Sequence, residues 1–166
     1  MSAYAGAMTG TLYTFGYSGL RDGDDLRELL GDRAPLIYDV RLHVYSGNRA
    51  FSLTTRATVE SAGYRYGHLA GLGNVAYKTG GIKLKRPWDI AILVDALRVG
   101  DVAIMCVCAD ATTCHRRTVA ELARSLLPGL EVIDLQRADV GYTPIPADRL
   151  PSALVTVSAR HRPSSR

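Results

Sequence analysis

Apolar and polar residues divide this 166-residue chain into short alternating blocks. Apolar runs rich in β-branched and aromatic residues predict five strands, and segments whose apolar residues recur at helical spacing predict four helices between them. The predicted strands cover residues 11–17, 36–40, 64–69, 101–108 and 130–135, and the predicted helices cover residues 24–32, 54–63, 88–97 and 115–127. Asp24 is the predicted N-cap of the first helix, and Gly31 and Gly63 are predicted to end the first two helices. Alternating strands and helices are typical of a parallel sheet with helices on both faces, so we expect an α/β protein.

The predicted architecture is a single-domain, Rossmann-like parallel sheet of about five strands in the order 3-2-1-4-5. Residues 11–136 form this domain, residues 1–10 a flexible N-terminus, and residues 137–166 a C-terminal extension in which ALVTVS is a further candidate edge strand. A chain of this length fits one domain. In the predicted order the first and fourth strands are neighbours at the topological switch point, where open α/β sheets usually bind ligands.

Polar residues follow the carboxyl ends of these predicted strands. They are Ser18, Asp39, Arg41, His68, Asp110, Cys114, His115 and Arg116. Because the carboxyl ends of parallel strands meet at one edge of the sheet, we expect a functional site there.

All three cysteines fall between residues 106 and 114. Cys106 lies deep in an apolar run, which favours a small core residue. Cys114 is the best nucleophile candidate, because the predicted helix start beside His115 and Arg116 would lower the pKa of its thiol. For Cys108 and Cys114 the sequence leaves four roles open: nucleophile, structural thiol, disulfide partner and metal ligand.

The spacing C-x-C-x5-C-H supplies sulfur and nitrogen ligands, but it does not favour a metal site. The adjacent residues Cys114 and His115 rarely reach the same tetrahedral ion, and the chain has no second C-x2-C pair. We therefore predict no metal and no cofactor. A disulfide between Cys108 and Cys114 would require the intervening loop to fold back.

The remaining polar residues predict an anion-binding site with a general base. Arg41 and Arg116 are candidate clamps for phosphate. The alternative is that Arg41 forms a salt bridge with Asp39 or Asp110, and that Arg116 pairs with Glu121 or faces solvent. The candidate catalytic residues are Asp39, Asp110, Cys114 and His115. The candidate substrate-binding residues are Tyr17, Ser18, Arg41, Tyr66, His68 and Arg116, and Tyr45 and Tyr77 are further rings that could stack on a base.

The composition favours an anionic partner. The net charge is +4 and the pI is about 9.1, and the basic residues Lys78, Lys83, Lys85 and Arg86 crowd one irregular segment. The sequence shows neither a membrane span nor a signal-peptide pattern, and three clustered cysteines do not resemble a secreted disulfide framework. We expect a cytoplasmic protein without a membrane partner.

Four motifs resemble those of the domain-of-unknown-function 488 family: GYSGL, YDVR, GYRYGHLAGLG and C-A-D-x3-C-H-R-R. The resemblance runs from about residue 13 to residue 135. It implies an α/β fold and a site that includes Gly16, Ser18, Asp39, Arg41, Tyr66, Leu72, Gly73, Cys108, Cys114, His115 and Arg116. The chain departs from the family pattern at Tyr17, Asn74 and Asp110, where the family often has histidine, glycine and glutamate.

These features together favour an enzyme that acts on a nucleotide or nucleic acid, hydrolysing an N-glycosidic or related bond. The arginines would hold phosphate, and Asp39 or Asp110 would position water. One alternative is a cysteine-dependent phosphatase or sulfurtransferase-like enzyme. Another is a non-catalytic nucleic-acid-binding module that uses the basic residues between positions 78 and 86.

Overall fold

The apolar runs of the chain form the strands of one sheet. A computed structural model describes residues 9–136 and the strand at residues 155–156. The strands are β1 (Leu12–Gly16), β2 (Leu36–Asp39), β3 (Arg65–His68), β4 (Val102–Cys106), β5 (Val132–Asp134) and β6 (Val155–Thr156). The helices are α1 (Gly23–Leu30), α2 (Thr55–Ser61), α3 (Ile90–Leu97) and α4 (His115–Leu126). Apart from residues 9–10 and β6, the predicted flexible N-terminus and the predicted C-terminal extension lie outside the described residues.

The sheet has the order β3-β2-β4-β1-β5-β6, and every pairing is parallel. The predicted α/β class is therefore confirmed. The predicted order 3-2-1-4-5 is wrong, because β4 lies between β2 and β1. The physical reason is that β4 is buried at all five positions and thus suits the middle of the sheet, where it pairs on both sides. β1 and β4 are still neighbours, as the predicted site required.

Helices cover both faces of the sheet, as predicted. Successive side chains of β4 point to opposite faces, so Ile104 packs on one side of the sheet and Met105 on the other. The Ile104 side carries α3 and α4, through residues such as Leu93 and Val119. The Met105 side carries α1 and α2. The connections that leave β1 and β4 therefore run over different faces, which leaves a crevice between the ends of these two strands.

The ends of the first two helices follow from local chemistry. The side chain of Asp22 accepts hydrogen bonds from the backbone N–H groups of Asp24 and Asp25, so Asp22 is the N-cap of α1. Asp24, the predicted cap, lies inside the first turn instead. Gly31 ends α1 with φ 58°, and Gly63 follows α2 with φ 97°, as their predicted terminator roles require.

The irregular segment between β3 and α3 is ordered around one side chain. Oδ1 of Asn74 accepts hydrogen bonds from the backbone N–H groups of Ala76 and Lys83, both at 2.9 Å. Its Nδ2 donates to the Gly81 carbonyl at 2.9 Å, and an isolated antiparallel bridge joins Asn74 to Leu84. These bonds hold residues 74–84 together as one ordered segment. Within the part of the chain that the structure describes, no helix is both long and apolar enough to cross a membrane.

Candidate functional site

A cavity of about 740 Å³ opens at the carboxyl edge of the sheet. Its walls come from the residues that follow β1, β2 and β4, from the start of α4, and from the ordered segment around Asn74. The lining residues are Tyr17, Arg41, Leu42, His43, Tyr45, Ser46, Asn74, Tyr77, Gly80, Gly81, Ile82, Cys106, Val107, Cys108, Thr113, Cys114 and His115. The cavity thus lies at the edge where the sequence predicted a site.

Two thiols and one imidazole meet at the wall of this cavity. Nδ1 of His115 lies 3.7 Å from Sγ of Cys106 and 3.9 Å from Sγ of Cys114. We call these three residues the thiol–imidazole cluster. All three are buried, with exposed fractions of 2%, 1% and 8% for Cys106, Cys114 and His115. The three cysteines of the chain are free thiols, and Cys108 is the most exposed of them.

The imidazole of His115 has a defined orientation. Its Nε2 lies 2.8 Å from the backbone carbonyl of Val40, at the end of β2. Because a carbonyl oxygen only accepts hydrogen bonds, Nε2 carries the proton. In the neutral ring, the lone pair of Nδ1 therefore faces the two sulfur atoms. This atom can take a proton from a thiol or donate its lone pair to a metal ion.

Helix α4 places Cys114 in a setting that favours a thiolate. Cys114 is the N-cap residue, with φ −96° and ψ 143°, and its side chain makes no capping hydrogen bond. Hydrogen bonds from Cys106 and Cys108, helped by His115 and by the charge of Arg116, hold the pKa of the Cys114 thiol well below its usual range despite burial. The three neighbouring thiols do not ionise alike. Cys108 acts to lower the pKa of Cys106, but Cys114 and burial raise it to about 11.

Asp39 and Arg41, predicted as a base and an anion clamp, bind each other. Nη2 of Arg41 lies 2.5 Å from Oδ2 of Asp39, and Nε lies 2.8 Å from Oδ1. This is the salt-bridge alternative. The hydroxyl of Tyr66 also donates to Asp39, at 2.9 Å. Burial, together with the Asp39 carboxylate, raises the pKa of that hydroxyl.

The other N–H groups of Arg41 are also bonded. Nη1 donates to the Tyr17 hydroxyl at 3.0 Å and to the Phe51 carbonyl at 2.6 Å, and Nη2 donates to the Thr55 hydroxyl at 3.0 Å. Burial opposes the charge of Arg41, but Asp39 more than compensates and raises the pKa of the guanidinium. Arg41 therefore lines the cavity, but protein acceptors already bond the N–H groups of its guanidinium. Its role is to support the wall that carries Tyr17.

Arg116 is placed under the loop that follows β4 rather than in the cavity. Its guanidinium is fully buried and donates to the carbonyls of Cys108 and Ala109, with Asp134 of β5 at 3.3 Å. The predicted salt bridge to Glu121 is wrong. Glu121 instead pairs with Arg117, which precedes it by one helical turn; Nε of Arg117 lies 2.8 Å from Oε1 of Glu121.

The remaining predicted residues are dispersed. Asp110 is exposed, and its carboxylate accepts from the backbone and the hydroxyl of Thr112, both at 2.7 Å. Ser18 is exposed and its backbone N–H donates to the carbonyl of Val107 at 3.2 Å. Nε2 of His68 lies 2.9 Å from the carbonyl of Arg41. Of the predicted catalytic and substrate-binding residues, the structure brings Tyr17, Arg41, Cys114 and His115 to the cavity wall. The lining does not include Ser18, Asp39, Tyr66, His68, Asp110 or Arg116.

Sequence reasoning did not find two parts of the site. Cys106 was expected to be only a core residue, yet it is buried and also contributes a sulfur atom to the cluster. Its position as the last residue of β4 was the available signal. The role of the Val40 carbonyl could not be predicted, because every residue has a backbone carbonyl and the sequence does not show which one accepts a given hydrogen bond.

The fold and the site together define an α/β protein with a thiol–imidazole cluster at the carboxyl edge of its sheet. Comparisons of the chain with protein families, with curated proteins and with solved structures find no match. The resemblance to the domain-of-unknown-function 488 family stays a prediction.

Proposed function

We propose that the protein is a cysteine-dependent hydrolase that acts on a phosphate-bearing substrate of the nucleotide or nucleic-acid type. Cys114 is the nucleophile and His115 is the general base. One observation carries the proposal: His115, held by the Val40 carbonyl, directs Nδ1 at the Cys114 sulfur, 3.9 Å away, where both residues line the cavity.

The chemistry follows from these positions. The Cys114 thiol gives its proton to Nδ1 of His115, and the thiolate attacks the phosphorus atom. The bond from phosphorus to the leaving oxygen breaks, and that oxygen takes the proton from His115. Water then attacks the phosphorus atom of the phosphocysteine and gives a proton to Nδ1 of His115. The bond from phosphorus to sulfur breaks, phosphate leaves, and His115 returns the proton to the Cys114 sulfur. Backbone N–H groups in the first turn of a helix suit phosphate oxygens, and α4 begins beside the nucleophile, at His115.

The cavity walls support a substrate with an aromatic part. Tyr45 and Tyr77 are exposed to 78% and 57%, respectively, although both line the cavity, so their rings are available for stacking. A volume of about 740 Å³ lies within the range of small-ligand sites. The exposed side chains of Lys78 and Lys83 lie on the segment that forms one wall, and they add positive charge for an anionic ligand.

The placement of the carboxylates favours this proposal over hydrolysis of an N-glycosidic bond. That reaction would use Asp39 or Asp110 to position water. Both oxygens of Asp39 accept hydrogen bonds from Arg41, and Asp110 is not among the lining residues. Cys114 and His115 are the predicted catalytic residues that do line the cavity.

The nucleophile is tested by alkylation of metal-free protein with iodoacetamide, with the modified thiol located by mass spectrometry. We expect Cys114 to react before Cys108, although Cys108 is more exposed. His115→Gln keeps an N–H donor for the Val40 carbonyl but removes the base, and should slow the reaction about 100-fold. Cys108→Ser is the matched control, because serine keeps a hydroxyl beside Cys114.

The same variants are then assayed for hydrolysis of p-nitrophenyl phosphate and of nucleoside monophosphates. Cys114→Ser should abolish turnover, whereas Cys108→Ser should retain it. Labelling of Cys114 only after denaturation, or full turnover by Cys114→Ser, would contradict the proposal.

A further inference from the structure

We propose that Cys106, Cys114 and His115 form a three-ligand binding site for Zn²⁺, with the fourth coordination position open to the cavity. The inference uses side chains of the proposed catalytic site, but it does not rest on the proposed function. It concerns what these donor atoms bind, whether or not Cys114 attacks a substrate.

The spacing of the donor atoms fits a tetrahedral ion. Zinc lies about 2.3 Å from a cysteine sulfur and about 2.0–2.1 Å from a histidine nitrogen, so a tetrahedral angle separates sulfur from nitrogen by about 3.6 Å. The observed separations from Nδ1 of His115 are 3.7 Å to Cys106 and 3.9 Å to Cys114. All three donor atoms lie within 4.8 Å of one another. A tetrahedral zinc separates its two sulfur ligands by about 3.8 Å, so shifts of at most about 1 Å would complete the geometry.

The imidazole is oriented as a zinc ligand requires. A metal-binding histidine usually donates its second ring N–H to a carbonyl or carboxylate, which fixes the tautomer and the ring plane. The Val40 carbonyl, 2.8 Å from Nε2 of His115, occupies that position. Nδ1 is thereby presented to the two sulfur atoms.

The ligands stand on regular elements rather than on a free loop. Cys106 ends β4, where its carbonyl accepts a hydrogen bond from the backbone N–H of Tyr17 at 2.9 Å. His115 begins α4, and Cys114 is the residue before it. Adjacent ligands reach one point here because Cys114 has an extended backbone and His115 a helical one. The sequence-based argument against a metal site counted Cys106 in the C-x-C-x5-C-H spacing, but it did not include this backbone geometry.

Charge and ligand type favour zinc. Two thiolates and a neutral imidazole cancel the charge of a divalent ion, so the complete centre is neutral, as burial of all three residues demands. Sulfur and nitrogen donors suit Zn²⁺, whereas Mg²⁺ and Ca²⁺ prefer oxygen donors.

Occupancy has a chemical consequence for the cavity. All three ligands line it, so the bound ion would face the cavity with its remaining position. An ion bound there coordinates the Cys114 sulfur and Nδ1 of His115, so it competes with iodoacetamide for the sulfur and with a proton for the nitrogen. Zn²⁺ should therefore suppress alkylation of Cys114.

The test is a titration of chelator-treated, full-length protein with Zn²⁺ in competition with a metal-indicator dye, and with Co²⁺ as a spectroscopic probe. We expect one ion per chain, a sulfur-to-cobalt charge-transfer band, and protection of Cys114 from iodoacetamide. X-ray absorption of the zinc form should show two sulfur atoms near 2.3 Å and a nitrogen near 2.0–2.1 Å. Cys106→Ser and His115→Gln should weaken binding by more than the roughly 10–100-fold that loss of an outer-shell partner costs. Asp95→Asn, which changes an exposed side chain of α3 outside the cluster, should leave binding intact.

The absence of stoichiometric binding, a cobalt spectrum without the sulfur band, or equal loss of affinity in Asp95→Asn would each overturn the zinc site. The absorption measurement uses the unmodified protein, so a variant that fails to fold does not affect it. Rapid alkylation of Cys114 without zinc binding would reject this inference while leaving the proposed function standing. Zinc binding, with Cys114 unreactive in metal-free protein, would support the zinc site and reject the proposed function.

Discussion

Substitution of Asp39 by asparagine should unfold the wall that carries Tyr17. The Asp39 side chain has no exposed surface, and it accepts hydrogen bonds from Arg41 and from Tyr66. Asparagine would remove the negative charge and would turn an N–H₂ group toward these donors. The guanidinium of Arg41, whose side chain is 6% exposed, would then be a buried cation without a counter-ion.

The expected size of the effect follows from that burial. Removal of one partner from a buried ion pair costs about 3–5 kcal/mol of unfolding free energy. A loss of 1 kcal/mol shifts the Tm of a domain of this size by about 2–4 °C, so Asp39→Asn should lower it by about 6–20 °C. Because a typical domain is stable by only about 5–15 kcal/mol, this loss is a large fraction of the whole.

The assay is urea denaturation followed by circular dichroism, together with a thermal melt. Asp95→Asn is the matched control, because it makes the same chemical change in an ion pair whose side chains, Arg98 and Asp95, are 57% and 72% exposed. Such exposed pairs contribute about 0–1 kcal/mol. If Asp39→Asn were within about 1 kcal/mol of the unmodified protein, Asp39 and Arg41 would not be the brace described here, and a direct role in ligand binding would regain weight.

Two further substitutions test the support beneath the cluster. Asp134→Asn should cost about 3–5 kcal/mol in urea denaturation, because it leaves the fully buried Arg116 without its carboxylate; an unchanged midpoint would refute that role. Gly16→Ala would place a Cβ atom 1.8 Å from the carbonyl oxygen of Cys108, and the resulting overpacking should cost about 1–3 kcal/mol and weaken Zn²⁺ binding. Gly100→Ala, whose Cβ would meet no atom within 4 Å, is the control and should leave both the Tm and Zn²⁺ affinity nearly unchanged.

Local patterns in the sequence predicted the elements well. Apolar runs and glycine terminators located all five main strands and four helices to within a few residues. The order of the strands was not predictable in the same way, because periodicity reports which face is buried and not which strand lies alongside. The central position of β4 depends on tertiary packing, because this strand is buried on both faces and paired on both edges.

The site was predictable in position but not in its pairings. Strand ends pointed to the correct edge, and the helix start pointed to Cys114 and His115. A sequence does not show that Arg116 turns inward, because its partner Asp134 comes from another strand, 18 positions later. Nor does it show that Cys106 joins the cluster, since a buried cysteine in a strand is usually only a packing residue.

The position of β4 between β2 and β1 also bears on how the protein is made. Leu12 of β1 and Leu36 of β2 both align with Val102, so the two N-terminal strands have no shared edge of their own. In a growing chain that has not yet released residues 102–106 from the ribosome, β2 can pair only with β3, and β1 has neither of its neighbours, β4 and β5. Unpaired strand edges are prone to aggregation until a partner arrives. Assembly of the centre of this sheet therefore waits for the synthesis of β4.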